Sequence, residues 1–530
     1  MYSDKAHINY LTSILLTQGI TDIVVCPGAR NAPLCHNFHQ AGFTLHPVTD
    51  ERSAAFVALG IYLETKRPTI VCVTSGSALL NTLPAIAEAF YRHIPLIAVS
   101  ADRPEKWIGQ LDGQTIPQKG ALQPYAPCIN ITANTPIGEF HTKIAHALLT
   151  PRPVHINVEI EEPLFNFNVN ELPHVERAAC AEHHSPNEYA ETDIHHVAQA
   201  INDAKFPLLM MGQLEEFIPE LTQELSRRMA ILPEVISNAF FSTTSSELEV
   251  CIASGMLPPV IPDLVIHIGG PFICKQMKQF LRKQPHVRII RIGLETEVPK
   301  TFGRVDFSVR THPVPFLKKL VSLLNLNEEH HKYWVSYLQS NFKKLKHHNR
   351  RRHEISAIQA FCASKLGILH VANSSSVIWL NSYFEGGHTP VFCNRGVNGI
   401  EGTLSTAAGH SLKTDRTVGC IIGDLSFFYD SNALWNQKLG KNLVVLLLNN
   451  SGGAIFYNLH KLHESPALND YIAAQHTTTA KGICNSYNIN YVCKESELYS
   501  PSELTTIVNN HIESDAHRPL VIEIIIKKES

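Results

Sequence analysis

The apolar positions of this chain fall in short runs, each closed by a glycine, a proline or a cluster of small polar residues. The first runs are 20–26, 69–73, 95–100 and 154–160. They end in Pro27-Gly28, in Thr74-Ser75-Gly76-Ser77, in Ala101-Asp102-Arg103-Pro104 and in Glu161-Glu162-Pro163. Segments 85–92 and 140–149 predict helices between them, so strand and helix alternate at the spacing of an α/β domain with a parallel sheet. The pattern recurs at 207–211, 264–268 and 287–292, ending in Gly212, Gly269-Gly270 and Gly293. It recurs again at 368–372, 390–393, 418–422, 443–448 and 519–526. This predicts an α/β fold of three tandem doubly wound domains with mainly parallel sheets, at 1–175, 190–335 and 355–530. A polar linker is expected over 171–190, and a helix with a basic, histidine-rich end over 328–354. The first residues, MYSDKAHINYLTSILLTQG, carry a Ser/Asp helix start and an interrupted apolar pattern. They predict an amphipathic helix and not a signal peptide.

Composition narrows the function. With 530 residues, 44% hydrophobic and 18% charged, the chain is too long for one core. A formal net charge of -3 gives no case for nucleic acid or an anionic membrane, so the expected partner is a small molecule. No apolar run approaches membrane-spanning length. The 12 cysteines are scattered without a CxxC pair, which argues for reduced thiols and a cytoplasmic location. The glycine-ended strands of the middle unit are nucleotide-like, but no GxGxxG is present and ordinary turns account for them.

The stretch 423–453, GDLSFFYDSNALWNQKLGKNLVVLLLNNSGG, reads as strand end, turn, helix, strand and turn. Parallel strands bring their C-terminal ends side by side, so Asp424 and Asn449/Asn450 should meet at one sheet edge. A carboxylate and a carboxamide there, beside glycines that expose backbone carbonyls, are hard oxygen ligands for Mg2+ or Ca2+ bridging a diphosphate.

Gly-Asp followed by Asn-Asn at this spacing resembles the diphosphate-binding motif of thiamine-diphosphate enzymes, whose three domains run pyrimidine-binding, central, diphosphate-binding. Glu51, in DERSAAFVALG, lies where that superfamily carries its cofactor-activating glutamate. More closely, CPGAR (26–30), TSGSALLNTLPAIAEA (74–89), SADRP (100–104), NRGVNGIEGTLSTAAG (394–409), GDLSFFYDSNAL (423–434) and NNSGGAIF (449–456) resemble the menaquinone-pathway synthase family. That family makes 2-succinyl-5-enolpyruvyl-6-hydroxy-3-cyclohexene-1-carboxylate. The match is dense in the outer domains and thin in the middle one.

The resemblance implies thiamine diphosphate and Mg2+ (or Mn2+). It also implies a homo-oligomer, dimer or dimer of dimers, with active sites between subunits. Glu51 is the catalytic residue it implies: a carboxyl sharing a proton with the cofactor's aminopyrimidine drives the tautomerisation that provides a base. The competing reading is a helix-terminal acid favoured by the dipole. Cofactor contacts are implied at Glu51, Ser75, Gly76, Ile400, Gly423, Asp424, Leu425, Asn450 and Gly452, with Asp424, Asn450 and Gly452 holding the metal. The implied reaction decarboxylates 2-oxoglutarate and adds the succinyl carbanion to isochorismate. For these anions the implied contacts are Arg30, Arg103, Gln114, Lys275, Ser374 and Arg395.

Four positions depart from the family. Ala29 replaces a serine, Gln276 a basic residue, and in the NSxPxR segment Ser376 and Ile378 stand where the proline and the arginine are expected. Replacing a buried charged partner with an aliphatic costs several kcal/mol of anion binding. Either a compensating cation exists, or the chain joins a different 2-oxoacid to a different acceptor. A non-catalytic binding protein on the same fold is the alternative of another class, and retention of Glu51, Asp424 and Asn450 argues against it.

Overall fold

A computed structural model describes residues 1–530 except 149, 177–188, 240–250, 252–253, 257–259, 346–351, 385–388 and 527–530. Its apolar runs are the central strands of three parallel sheets, because a strand covered by helices on both faces must be apolar on both. The first sheet has the order Thr44–Pro47, Asp22–Val25, Thr69–Val73, Leu96–Asp102, Val154–Glu159, Cys128–Ile131. The second runs Ala230–Pro233, Pro207–Met211, Leu264–Ile268, Arg288–Gly293, Phe307–Arg310. The third runs Val391–Phe392, Ile368–Val371, Val418–Gly423, Leu443–Asn449, Leu520–Ile525, Asn490–Glu495. All pairings within these sheets are parallel.

In the first sheet strand order reverses between Asp22–Val25 and Thr69–Val73, and in the third between Ile368–Val371 and Val418–Gly423. The loops leaving those strand pairs diverge and open a crevice, which is where doubly wound sheets hold ligands. Those loops are CPGAR and TSGS in one sheet, and NSSS and Gly423-Asp424 in the other.

The structure departs from the sequence reading mainly at edges. Cys128–Ile131, Ala230–Pro233, Phe307–Arg310 and Asn490–Glu495 are edge strands that the apolar pattern does not reveal, being short or half polar. The N-terminal helix, Ala6–Thr17, does not start on Ser3 or Asp4. Its N-cap is Lys5, which makes no side-chain cap bond, because Tyr2–Ser3 is drawn into an antiparallel pair with Phe167–Val169. The long basic helix is two helices, Glu328–Leu345 and Arg352–Cys362; its basic centre, like most of the expected linker, lies outside the described residues.

The outer units share one continuous hydrophobic core, which runs from Val24 and Phe56 to Leu404 and Leu434. Helices Glu51–Thr65 and Thr403–Ser411 cross within it at backbone contact. A Cβ on Gly60 would stand 2.0 Å from the Thr406 carbonyl oxygen, and one on Gly409 would stand 2.1 Å from that of Val57, so neither position admits a side chain. Polar ties flank the crossing. His410 Nε2 lies 2.9 Å from a Glu64 carboxylate oxygen, and Asn432 donates to Asp50 at 2.8 Å. The helix that begins at Glu51 is thereby clamped at both ends to the third unit.

Candidate active site

Two corners carry the chemistry. The first lies at the C-terminal ends of Val418–Gly423 and Leu443–Asn449. Asp424 opens the short helix Asp424–Tyr429 and is 3% exposed. Its carboxylate accepts from Leu425 N at 2.6 Å and from Gly452 N at 3.0 Å. Burial raises its pKa and those N–H donors oppose the rise. Asn449 and Asn450 divide their work. Asn449 turns inward, donating to Glu523 at 2.6 Å and to the Thr478 carbonyl at 2.9 Å, while accepting from Ser451 N at 3.1 Å. The Oδ1 of Asn450 is buried and has no partner. A buried carbonyl oxygen costs about 1–3 kcal/mol when left unpaired, so this atom is shaped for a group the chain does not supply.

Gly452 closes the corner at φ 138°, and a Cβ there would meet the Ala473 carbonyl oxygen at 2.6 Å. Among the described residues no cluster of three or more His, Cys, Asp or Glu could hold a metal. One carboxylate, one carboxamide and a backbone carbonyl instead fit a hard cation that completes its shell with oxygens of an anionic ligand and water. Asp424, Asn450 and Gly452 line a cavity of about 150 Å3 with Ser374, Ile400 and Phe456; Gly423 and Leu425 line it too. Ile400 is 40% exposed, so it faces open space and is not packed into the core.

The second corner lies at the C-terminal ends of the first sheet. Of the Asp50-Glu51 pair, Asp50 is the helix cap, accepting from Arg52 N at 2.9 Å and Ser53 N at 3.3 Å. Glu51 is therefore released from capping, and its carboxylate accepts from Asn81 Nδ2 at 3.1 Å. Ser75 is buried, and Gly76 N donates to Gln118 Oε1 at 2.7 Å. Gln118 is fixed in turn by Asn157 Oδ1 at 2.8 Å. Gln114 lies against Gly76 with φ 55°. Ser374 and Ser451 also have positive φ, at 71° and 64°. Three non-glycine residues in that region, each costing about 1–3 kcal/mol, sit at the two corners, where such strain concentrates in functional sites.

Arg30 is 7% exposed and donates to the Ile160 carbonyl at 3.0 Å and to Glu162 at 2.9 Å. Arg103 pairs with Asp112 at 2.9 Å and lies 3.9 Å from the same Glu162, whose side chain is 67% exposed. Arg395 donates to Asn373 Oδ1 at 3.1 Å and keeps a buried Nε without a partner.

The structure thus groups Glu51, Ser75, Gly76 and Gln114 with Arg30 and Arg103 at one sheet edge. It groups Ser374, Ile400, Gly423, Asp424, Leu425, Asn450 and Gly452 at the other. Lys275 and Gln276 are exposed at the start of helix Lys275–Arg282 and line neither corner. One turn on, Lys278 donates to the Phe272 carbonyl at 2.7 Å; burial lowers its pKa, Glu234 opposes this and the Arg395 guanidinium adds to it. Ala29 is exposed, and Ile378 packs partly buried on the core of the third unit. Sequence reading missed Asn81, Gln118, His476 and Glu523, because only the fold brings them to the corners. His476 Nε2 stands 3.5 Å from Asp424 Oδ2.

Comparison with known proteins identifies the family. The family described as thiamine pyrophosphate enzyme, N-terminal TPP binding domain, matches residues 8–146, and the corresponding C-terminal TPP binding domain matches residues 373–524. A protein named 2-succinyl-5-enolpyruvyl-6-hydroxy-3-cyclohexene-1-carboxylate synthase from Phocaeicola vulgatus is 35% identical, the alignment covering 100% of this chain and 97% of that one. Proteins of the same name from Bacteroides thetaiotaomicron and Flavobacterium psychrophilum are 36% and 33% identical, over 100% and 94% of this chain and 97% and 93% of theirs. With both cofactor-binding domains matched and relatives of one name aligned along nearly its whole length, the chain belongs to the 2-succinyl-5-enolpyruvyl-6-hydroxy-3-cyclohexene-1-carboxylate synthase family of thiamine-pyrophosphate enzymes.

Proposed function

We propose that the chain joins the succinyl unit of 2-oxoglutarate, after loss of CO2, to isochorismate, in the reaction for which its relatives are named. The observation that carries this reading is the pairing of a glutamate freed from capping, Glu51, with a corner whose Asn450 Oδ1 awaits a partner. When bound, thiamine diphosphate supplies the electron sink for the cleaved carboxylate. With the cofactor bound, Glu51 would hold a proton against the aminopyrimidine, Ile400 would pack against the cofactor, and Asp424, Asn450 and the Gly452 carbonyl would hold Mg2+ or Mn2+. Ser75, Gly76, Gly423 and Leu425 complete the cofactor's contacts.

Arg30, Arg103, Gln114, Ser374 and Arg395 bind the substrate carboxylates. Lys278 is the cation we assign in place of Gln276 and Ile378, supported by its half-buried position and its electrostatic coupling to Arg395; Lys275 is secondary. In this reading residues 1–175, 190–335 and 355–530 are the pyrimidine, central and diphosphate domains. Two copies pair so that Glu51 of one chain serves the Asp424 corner of the other, and the protein works in the cytoplasm. Among the described residues no helix is long and apolar enough to cross a membrane.

The test mixes protein, Mg2+, thiamine diphosphate, 2-oxoglutarate and isochorismate and follows the adduct by mass spectrometry. The expected result is its appearance with release of CO2. Bound cofactor without turnover, together with CO2 release from another 2-oxoacid in a panel, would assign the chain to a related carboligase, the outcome that Ala29, Gln276 and Ile378 favour.

A further inference from the structure

Behind the Asp424 corner a chain of polar groups ends in a donor with nothing to donate to. It starts at Glu523, a carboxylate 0% exposed in the strand Leu520–Ile525. Glu523 accepts from Asn449 Nδ2 at 2.6 Å, from Ala480 N at 3.0 Å and from the Tyr491 hydroxyl at 2.5 Å. Asn449 also donates to the Thr478 carbonyl at 2.9 Å, and Thr478 N donates to His476 Nδ1 at 3.1 Å. A backbone N–H at Nδ1 makes that nitrogen the acceptor, so in the neutral imidazole the proton sits on Nε2. The ring stands edge-on to Phe428, with centroids 5.5 Å apart at 90°. The backbone N–H of His476 is tied to the Ser451 carbonyl at 3.3 Å. The ring Nε2 lies beside Asp424, which lines the cavity at this corner. There it stops 3.5 Å from Oδ2, buried and without a hydrogen bond.

A protonated Nε2 cannot ligate a metal, so this nitrogen is a donor to an anion and not a member of the cation's shell. Once Asp424 is committed to a cation, its carboxylate is a poor acceptor for a second, distant donor. The acceptor that fits beside a cation at this corner is a phosphoryl oxygen.

We infer that His476 is a hydrogen-bond donor to the diphosphate of the bound cofactor, oriented by Glu523 through Asn449 and Thr478. This role rests on the cofactor reading above. It assigns the segment around 476 to the diphosphate pocket, although that segment carries none of the Gly-Asp or Asn-Asn residues by which the pocket is recognised.

The test is isothermal titration calorimetry of the full chain with Mg2+ and three probes: thiamine diphosphate, inorganic pyrophosphate and unphosphorylated thiamine. His476→Ala is expected to weaken thiamine diphosphate and pyrophosphate by about 10-fold and to leave thiamine unchanged. His476→Gln, whose amide N–H reaches a similar place, should recover most of that loss. Thermal melts without ligand separate a binding effect from a folding one. Wild-type affinity for pyrophosphate in His476→Ala, an equal loss for thiamine, or no recovery in His476→Gln overturns the role. If the wild-type protein binds no thiamine diphosphate, the cofactor reading itself fails, and this inference with it.

Discussion

At the Asp424 corner a buried oxygen, Asn450 Oδ1, has no partner, whereas at the Arg30 corner every guanidinium that faces the crevice already holds a carboxylate of the protein itself. The first corner is rigid and incomplete. Its groups are fixed by backbone N–H bonds and by the Glu523 network, and on the proposed reading a cation with its anion would fill the open valence. The second has its guanidinium charges already met by carboxylates, although the buried Nε of Arg103 has no partner. Glu162 stands 67% exposed between Arg30 and Arg103, so on the proposed reading an incoming carboxylate would displace it with little cost in burial. On that reading the difference teaches that a resident cofactor would be met by preorganised groups with an open valence, and a substrate that comes and goes by charges with a stand-in.

Substitutions can break that contrast. The largest effect is expected at Glu51, the carboxyl proposed as catalytic. Glu51→Gln should lower turnover about a thousandfold while the protein still binds thiamine diphosphate, and C2 proton exchange of the bound cofactor, read by NMR, should cease. Normal exchange in that variant would reject the role. Next, Asp424→Ala should weaken Mg2+-dependent cofactor binding by about 100-fold or more, measured by titrating Mg2+ at fixed cofactor. Retained affinity would show that the unsatisfied corner is not a metal site.

At the exchangeable corner, Arg30→Ala should raise the KM for the 2-oxoacid about 30-fold, a cost of about 2 kcal/mol. Glu162→Gln should lower that KM or leave it within about threefold, since it removes a competitor. If Glu162→Gln instead raised KM as much as Arg30→Ala, Glu162 would be a fixed part of the site and the contrast would collapse.

The smallest effect concerns the scaffold joining the two edges. The hydrogen bond from His410, with help from Arg416, holds the Glu64 carboxyl at about 2, below its ordinary 4.5. A depressed pKa contributes stability that is fully present above about pH 4.5 and is lost as pH falls toward 2. With the side chain 25% exposed, solvent screening leaves about 1 kcal/mol. Chemical denaturation between pH 6 and 3 should show that loss in the wild type and a shallower slope in Glu64→Gln; identical slopes would remove Glu64 from the account.

Much of the fold was legible because central parallel strands are apolar on both faces and end in turn residues, so 69–73, 207–211 and 264–268 stand out in the sequence with their bounds intact. Edge strands such as Cys128–Ile131 and Asn490–Glu495 were not, since an edge is half solvated and tolerates polar residues. Glu51, Asp424 and Asn450 were singled out in the sequence because the family resemblance places its motifs on them at strand ends. Asn81, Gln118 and His476 were not: any Asn, Gln or His is ordinary until a partner is placed against it.

By itself, the sequence determined three units built on parallel sheets and the glycine or polar turns that end their strands, since these follow from local runs and spacing. The resemblance singled out Glu51 and Asn450, and only the tertiary structure decided what occupies their neighbours. Asp50 caps the helix and frees Glu51; Asn449 turns inward to Glu523 and leaves Asn450 open; Arg30 and Arg103 share Glu162. The physical reason is that a hydrogen-bonding group's role depends on whether its valences are already filled, and partners from 2 to 130 residues away in the chain fill them.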